Sequence, residues 1–209
     1  MVRERIVQNG LAYMEYNAIR ILPLHFEMPK PADYIIFSSQ NATKAVLNKA
    51  FKLQDIQVLC VGEKSEKLLL EKTITPLKKA ENMSKLIGFI QKLDKNARFL
   101  HFCGNRRLPV LANKMKEWNC DFREVVVYQT ELTKTKIEAT PNAILFFSPS
   151  GVESHEKHND ITNTHCFCIG NTTANAFKQT PKSVQVVKNA NLEQVVAKAI
   201  HYFKLSQHA

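Results

Sequence analysis

No segment of this sequence is apolar for long enough to cross a bilayer as a helix, which takes about 20 residues. The longest apolar runs, such as Ala143–Phe147, end after a few residues. The first ten residues contain no apolar core of the kind that export signals have. We therefore expect a cytoplasmic protein that has no part embedded in a membrane.

Several motifs that carry common chemistry are also missing. No G-x-G-x-x-G follows an apolar run, and neither G-x-x-x-x-G-K-[ST] nor H-E-x-x-H occurs, which disfavours a dinucleotide, a P-loop and a zinc-peptidase site. His155 and His158 lie three residues apart without a cysteine or carboxylate set to complete a zinc site, and no serine or cysteine sits in a nucleophile elbow. We expect no cofactor and no metal.

Cysteine is scarce and is not paired along the chain. None of the five cysteines forms a C-x-x-C pair. Three of them, Cys60, Cys166 and Cys168, fall within apolar runs, where a cysteine behaves as a small buried hydrophobe. This usage agrees with a reducing compartment and disfavours metal or redox chemistry.

Acidic residues are few relative to basic ones, which leaves a formal net charge of +10. The excess is uneven: residues 29–127 hold 18 Lys and Arg against 10 Asp and Glu, and the remainder holds 11 against 9. Such a bias suits an anionic partner. A lysine-rich solvated surface would give the same count.

What the chain does contain is an internal repeat. Tyr34–Thr43 (YIIFSSQNAT) is echoed by Ala143–Val152 (AILFFSPSGV), and Phe146 and Ser148 each lie 109 residues after their counterparts Phe37 and Ser39. Two further pairs of segments match in the same order, LCVGEKS at 59–65 with FCIGNTT at 167–173 and LKKAENMSKL at 77–86 with VKNANLEQV at 187–195. Each unit reads as a buried strand, a turn and a helix start, so we infer two copies of one α/β domain.

The alternation of apolar runs and helical segments predicts the fold class. We expect two similar parallel-sheet α/β domains of the flavodoxin-like type, with helices on both faces of each sheet. Strands are expected at 18–24, 34–37, 56–61, 73–77, 98–103, 122–128, 143–147, 165–169 and 184–187. Helices are expected near 3–16, 42–53, 64–71, 82–93, 107–118, 151–157, 172–178 and 191–204.

The start of the chain is predicted to complete the domain that the last block forms. Arg3–Leu24 resembles Arg106–Val127, with Tyr16 opposite Trp118. One domain is then discontinuous, and a two-stranded linker joins it to the domain inserted in it. Because only two residues precede Arg3, we expect the discontinuous domain to lack most of its first strand or the start to be truncated. The expected bounds are 1–25 plus 132–209 for the discontinuous domain, 29–128 for the inserted domain, and 25–32 and 128–140 for the linkers.

Ligand-binding groups are expected at the carboxyl ends of the parallel strands. Glycines that let backbone approach a ligand fall there, and so do side chains that donate hydrogen bonds beside helix N-termini, which favour anions. The same Ser, Thr and Asn residues are explained by helix capping alone, and both roles can coexist. The glycines are Gly62, Gly104, Gly151 and Gly170, and the donors are Ser39, Asn41, Ser65, Ser148, Ser150, Thr172 and Thr173.

Tyr128 follows the apolar run Val125–Val127 where the chain leaves the inserted domain. A tyrosine hydroxyl donates a hydrogen bond or a proton at neutral pH. The alternative is a purely structural role, in which the ring of Tyr128 packs at the end of the strand.

These residues resemble the uroporphyrinogen-III synthase family. The family's F-T-S-x-N-A is approximated by Phe37–Ala42, its F-x-S-P-S-[AG] is met by Phe146–Gly151, and its I-G-x-T-T-A is met by Ile169–Ala174. The glycine motif and V-Y-x-T correspond to Gly104–Leu111 and Val127–Thr130. The likeness covers nearly the whole chain. It departs from the family at the shortened opening strand, Val2–Glu4, and at Ser65, where a threonine is more usual.

The resemblance implies a cofactor-free lyase with its site in the cleft between two domains. Its substrate would be hydroxymethylbilane, a polycarboxylate tetrapyrrole, which is closed to uroporphyrinogen III with inversion of ring D and loss of water. Tyr128 would assist loss of the hydroxyl. Ser39, Ser65, Ser148, Thr172 and Thr173 would bind carboxylates with neighbouring N–H groups, and Arg3, Lys64 and Arg106 are candidate cationic contacts.

Two other function classes fit some of the same features. A non-catalytic, hinged two-domain binder of an anionic ligand would also use a cleft, but such proteins carry an export signal that we do not find here. Nucleic-acid binding would use the positive charge, but the sequence has no basic stripe with interleaved aromatics. We expect a monomer that contacts neither nucleic acid nor membrane, and pathway logic suggests transient contact with hydroxymethylbilane synthase.

Overall fold

A computed structural model describes residues 2–30, 32–49, 56–188 and 191–207 of the chain. It divides into two compact units, Met1–Arg20 with Glu131–Ala209, and Ile21–Thr130. We call them the split unit and the central unit. The expected domain bounds of 1–25 plus 132–209 and of 29–128 stay a prediction.

The secondary structure alternates along most of the chain. None of the described helices is both long and apolar enough to cross a membrane. In chain order the elements are α1 (Val2–Gln8), β1 (Ile19–Pro23), β2 (Tyr34–Phe37), α2 (Gln40–Leu47), β3 (Gln57–Val61), α3 (Glu63–Leu70), β4 (Lys78–Ala80), α4 (Met83–Ile90), β5 (Arg98–Gly104), α5 (Val110–Glu117), β6 (Asp121–Leu132), β7 (Ala143–Phe146), α6 (Pro149–Glu156), β8 (His165–Cys168), α7 (Asn171–Ala174), β9 (Ser183–Val186) and α8 (Leu192–Gln207).

The sheet of the central unit has the strand order β1-β6-β5-β2-β3-β4. The pairs β6–β5, β5–β2, β2–β3 and β3–β4 are parallel. β1 lies at the edge beside β6. Backbone hydrogen bonds from Thr133 to Ala18 and from Leu24 to Val127 show that this pair runs antiparallel. Both unit boundaries fall within these two strands.

Apolar clusters cover both faces of the central sheet, as parallel sheets require. On one face Phe37 stacks on Phe102, with ring centroids 5.8 Å apart, and Val127 joins the same cluster. On the other face Ile36 and Phe99 pack under α4 and α5. Successive side chains of β2 and β5 thus point into opposite cores.

The split unit is built on three parallel strands in the order β7-β8-β9. Phe146 packs edge-on against Phe177 on one face, and Phe167 lies under α8 on the other. Among the described residues, Phe167 is the one member of this unit that ranks with the largest fully buried side chains. α1 packs against α8.

Three expected helices are shorter in the structure. The helix expected near 3–16 ends at Gln8, because Gly10 adopts φ +71°, a left-handed conformation that ends a helix. The helix expected near 42–53 ends at Leu47, and residues 50–53 lie outside the described part of the chain. The helix expected near 172–178 ends at Ala174, since the N–H groups of Lys178 and Gln179 donate to the Glu156 carboxylate.

One strand prediction was also wrong. The strand expected at 73–77 lies at Lys78–Ala80, and Thr73, at φ +59°, is in the turn before it. The first segment was expected to complete the domain of the last block, and this stays a prediction. Residues Met1–Arg20 group with the last block in the split unit, where α1 packs against α8, and the strand β1 pairs with β6 in the six-stranded sheet.

Candidate active site

The end of β2 presents Ser39 at the start of α2. Its Oγ accepts a hydrogen bond from the Asn41 N–H at 3.2 Å, which caps the helix. Thr43 donates from its hydroxyl to the Ser39 carbonyl at 3.0 Å. The strand supplies Ser39 because the buried run YIIF stops at Phe37, and the next residues turn toward solvent.

Tyr128 meets this serine from β6. Its hydroxyl donates to Ser39 Oγ at 3.0 Å. The pairing of β5 with β6 shifts at this point, because Cys103 pairs with Val126 and Gly104 with Tyr128, so β6 carries one extra residue. Two of the residues that the sequence predicts for the site, Ser39 and Tyr128, are therefore in direct contact.

Gly104 makes that contact possible. A methyl group added to Gly104 would lie 2.6 Å from Cε2 and 2.7 Å from the hydroxyl oxygen of Tyr128, closer than carbon side chains approach. The space that the sequence analysis assigned to a close-lying ligand is thus occupied by the tyrosine ring. The neighbouring Arg106 lies exposed in the turn after β5.

A second polar array runs from Ser38, just after β2, to residues inside β5 and β6. Ser38 Oγ is 2.7 Å from Nε2 of His101, and Nδ1 of His101 is 3.1 Å from one oxygen of Glu124. Arg107 donates to the other carboxylate oxygen at 2.6 Å. The hydrogen bond from His101, and then the guanidinium of Arg107, hold the pKa of Glu124 at about 2.

Sequence reasoning missed this array. His101 is 2% exposed, although it interrupts an otherwise apolar strand, RFLHFC. His101 pairs directly with Glu124 in the β5–β6 register, and Ile36 pairs with His101 in the β2–β5 register. The isolated histidine in β5 was the available signal, but its partners become visible only once the strand order is known.

His101, Cys103 and Glu124 also place one potential ligand atom each within 4.8 Å of one another. Burial raises the pKa of the Cys103 thiol to about 11, so it is protonated at neutral pH. Both nitrogens of His101 have partners, and the Arg107 cation is bound to Glu124. A metal ion would have to displace these contacts beside a fixed positive charge, so the group suits a hydrogen-bonded array better than a metal centre.

The next turn of the central unit holds Gly62, Lys64 and Ser65. Gly62 precedes α3 at φ +82°, a conformation that favours glycine, and its N–H donates to the Ala80 carbonyl. Ser65 is 2% exposed and its side chain lies inside the unit, whereas Lys64 is exposed. A ligand at this turn would meet backbone and Lys64 before it met Ser65.

The split unit repeats the cap arrangement at α6 and α7. Ser148 Oγ accepts from the Gly151 N–H at 3.1 Å and lies 3.3 Å from Ser150 Oγ. Gly170 precedes α7, where Thr172 is exposed and Thr173 is buried. Of the two predicted threonines, only Thr172 is therefore open to solvent.

Arg3, a candidate cationic contact, is engaged within its own unit. Its guanidinium binds the Glu15 carboxylate through two hydrogen bonds of 3.0 and 2.6 Å. The same partner raises the pKa of Arg3. An anion would compete with Glu15 for this side chain.

The split unit also contains a buried polar pair that the sequence did not indicate. The Tyr16 hydroxyl lies 2.6 Å from Nδ1 of His155, and Phe146 packs edge-on against the same imidazole. Nε2 of His155 is buried and makes no hydrogen bond to any described residue. Burial lowers the pKa of His155, so the ring is neutral.

A concave surface away from these strand ends lies along α3. It has a volume of about 580 Å³ and is lined by Glu63, Glu66, Lys67, Leu70, Glu71 and Lys79. Its glutamates disfavour a polyanion. The ends of β2, β5 and β6 therefore remain the better candidate for chemistry on an acidic ligand.

Comparison with known proteins identifies the family. The profile described as uroporphyrinogen-III synthase HemD matches residues 2–197. The search of curated proteins gave no match. Among solved structures, the chain resembles a uroporphyrinogen-III synthetase from Helicobacter pylori, with a TM-score of 0.69 and 21% identity, covering 88% of this chain and 91% of that one.

A mutant uroporphyrinogen III synthase from Thermus thermophilus is similar as well, with a TM-score of 0.68 and 13% identity, covering 100% of this chain and 94% of that one. At such low identities the structures establish a common fold. The profile match spans nearly the whole chain and confirms the resemblance seen in the motifs. The chain belongs to the uroporphyrinogen-III synthase family.

Proposed function

We propose that Tyr128, held over Gly104 and hydrogen-bonded to Ser39, is the residue that assists loss of the substrate hydroxyl. The reaction itself follows from the family: the chain is a lyase of haem biosynthesis that cyclises hydroxymethylbilane to uroporphyrinogen III, with inversion of ring D and loss of water. The observation that carries the residue assignment is the 3.0 Å contact between Tyr128 and Ser39 at a helix N-terminus.

The chemistry asks for a proton at the leaving oxygen and for control of the closing geometry. A phenol hydroxyl can donate its proton to a leaving hydroxide as charge develops on that oxygen, which is the role proposed for Tyr128. The Gly104 contact and the bond to Ser39 limit the positions that the phenol can occupy. Such positioning contributes to rate mainly through orientation, with little covalent catalysis.

The carboxylates of the substrate are proposed to bind at the strand ends of each unit. In the central unit the α2 N-terminus offers N–H groups beside Ser39 and Asn41, with Gly62, Lys64 and Arg106 at neighbouring turns. In the split unit the α6 N-terminus offers Ser148 and Ser150, and the α7 turn offers Gly170 and Thr172. Helix N-termini favour anions through their free N–H groups, and the net charge of +10 supports the same preference.

The setting of the reaction is also part of the proposal. We infer a cytoplasmic monomer that receives its reactive linear substrate through transient contact with hydroxymethylbilane synthase. The support is chemical: the bilane cyclises unaided to the wrong isomer, so a short transfer favours the correct product. Ser65 and Thr173 keep their proposed roles in carboxylate binding only if their buried hydroxyls become exposed when the substrate binds.

A coupled assay tests the function. Hydroxymethylbilane is generated in situ with and without the protein, and the oxidised uroporphyrin isomers are separated. We expect isomer III to replace isomer I when the protein is present. Isomer I alone, from protein shown to be folded, would contradict the activity, and titration with uroporphyrin would then show whether the chain binds a tetrapyrrole without turning it over.

A further inference from the structure

The array Ser38–His101–Glu124–Arg107 ends at the candidate active site but takes no part in the role assigned to Tyr128. Ser38 and Ser39 are consecutive, and their hydroxyls have different partners, His101 and Tyr128. His101 is buried, whereas Ser38 is partly exposed at the end of β2. Ser38 is therefore open to solvent one residue before the serine that Tyr128 contacts, Arg107 is exposed at the other end of the array, and only His101 between them is fully buried.

Partner chemistry fixes the direction of the hydrogen bond between His101 and Glu124. Glu124 is ionised at neutral pH and its carboxylate can only accept, so Nδ1 of His101 carries the proton and donates it at 3.1 Å. Ser38 Oγ lies 2.7 Å from Nε2 of the same ring, and its hydroxyl donates to that nitrogen whenever the nitrogen carries no proton. Arg107 holds the far carboxylate oxygen at 2.6 Å and so orients Glu124.

We propose that the hydroxyl of Ser38 is activated by a base. His101 accepts its proton, and Glu124, held by Arg107, orients the imidazole. A hydroxyl bonded to a neutral imidazole whose other nitrogen is held by a carboxylate is the arrangement by which proteins make serine reactive. The side chains come from three adjacent parallel strands and the turn after one of them, so rigid elements hold the geometry.

In the synthase reaction this hydroxyl would serve as the base, a role that rests on the proposed function. Closing the macrocycle leaves a proton on the pyrrole carbon that was attacked. When that C–H bond breaks, its electron pair restores the aromatic ring and the proton passes to Ser38 Oγ. The proton of Ser38 moves to Nε2 of His101, which becomes an imidazolium paired with Glu124 until the proton is lost to water.

The activated hydroxyl can be tested apart from the synthase assay with a fluorophosphonate probe. Ser38 Oγ would attack phosphorus, a P–O bond would form, the P–F bond would break with loss of fluoride, and His101 would take the proton. Intact mass and peptide mapping locate the adduct. We expect labelling at Ser38 in the native protein and at least a tenfold slower rate in His101→Gln, whose amide fills the site without taking a proton.

A matched control separates activation from exposure. Ser183→Ala removes a partly exposed serine of β9 in the other unit, whose Oγ also lies 2.7 Å from a histidine nitrogen, Nδ1 of His165, and it should leave labelling of Ser38 unchanged. Absence of the Ser38 adduct, or equal rates in the native protein and in folded His101→Gln, would overturn the proposal. If His101→Gln does not fold, a long-range proton–nitrogen NMR spectrum of the native protein decides: a His101 ring protonated at Nε2 instead of Nδ1 would contradict it.

The two proposals fail separately. If Ser38 is labelled through His101 but no isomer III forms, the proposed function fails and the activated serine stands. If isomer III forms and Ser38→Ala leaves kcat unchanged, Ser38 is not the base of the reaction. We expect Ser38→Ala to lower kcat at least tenfold with KM little changed, because base catalysis acts in the transition state.

Discussion

At the scale of single residues, Gly104 and Tyr128 form the tightest constraint at the site. A Gly104→Ala methyl would overlap the Tyr128 ring, so the ring must move and its bond to Ser39 is lost. We expect Gly104→Ala to destabilise the protein by about 1–3 kcal/mol, as overpacking does. Urea unfolding measures the change.

The control for that substitution is a glycine with space around it. Gly88 lies on the exposed side of α4 and has no neighbour within 4 Å of an added methyl. Gly88→Ala should stabilise by roughly 0.5–1 kcal/mol, because alanine is the better helix former. Equal effects of the two substitutions would contradict the steric role of Gly104.

The hydroxyl of Tyr128 is testable without disturbing its ring. Tyr128→Phe keeps the ring over Gly104 but removes the proton donor, and general acids typically contribute about 10²–10⁴-fold to rate. We expect at least a tenfold loss of turnover and a larger share of isomer I in the coupled assay. Tyr34→Phe, at the opposite end of β2 where the ring stacks on Phe99, should retain both turnover and isomer ratio. Full turnover in Tyr128→Phe would refute the assignment.

At the scale of elements, two helix caps differ in their partners. Ser39 caps α2 and also accepts a hydrogen bond from the Tyr128 hydroxyl. Asn82 only caps α4, where its side-chain oxygen accepts a hydrogen bond from the Lys85 N–H at 3.0 Å. Loss of a cap costs about 1 kcal/mol. Ser39→Ala should cost roughly twice as much as Asn82→Ala, because it also leaves a part-buried phenol without its acceptor. Equal free energies of unfolding for the two variants, from urea titration, would show that the Tyr128 contact adds no stability.

The elements themselves could largely be predicted, because apolar runs ended by Ser, Thr, Asn or Gly show where a strand stops. The starts of β2, β5 and β7 were predicted correctly. The failures have local causes: Gly10 ends α1 early, and Glu156 takes backbone donors that would have extended α7. Neither a left-handed glycine nor a side chain from another helix leaves a periodic signal in the sequence.

At the scale of the whole molecule, the split unit has the smaller core and contains the buried neutral His155. Its pKa in the folded protein is lowered, whereas in the unfolded chain it is near 6.5, so unfolded protein binds the extra proton first. The contribution of neutral His155 to the free energy of unfolding is fully present above about pH 6.5, and it is lost as the pH falls below that value. We expect the midpoint of thermal unfolding to fall, by on the order of a few degrees, between pH 7.5 and 5.5.

Circular dichroism of two variants checks this expectation. His155→Gln retains a partner for Tyr16 without the titrating ring, so its unfolding temperature should depend less on pH. His25→Gln changes an exposed histidine and should behave like the native protein. A native unfolding temperature that is the same at both pH values, or an unaltered dependence in His155→Gln, would contradict the role of the buried ring.

Fold class and family were within reach of the sequence because the repeated units preserve strand, turn and helix start in order. The contact between Ser39 and Tyr128 could be predicted only in part from the sequence. The sequence identified the two residues and placed each at a strand end, but it did not predict that they touch. His101 and Glu124 were not accessible at all. They become partners because β5 lies between β2 and β6, and the order of the strands along the chain does not specify their order in the sheet.

The extra residue in β6 decides which side of the sheet the tyrosine serves. Side chains alternate along a strand, so an uninterrupted ladder would place Tyr128 on the same side as Glu124 instead of against the cluster of Phe37 and Phe102. Whether the number of residues between Glu124 and Tyr128 that pair with β5 is odd or even, which we call the parity of β6, thus determines which side of the sheet carries the tyrosine. Substitutions along β6 leave that parity unchanged, whereas deletion of one residue reverses it. We therefore expect β6 to tolerate substitutions far better than insertions or deletions.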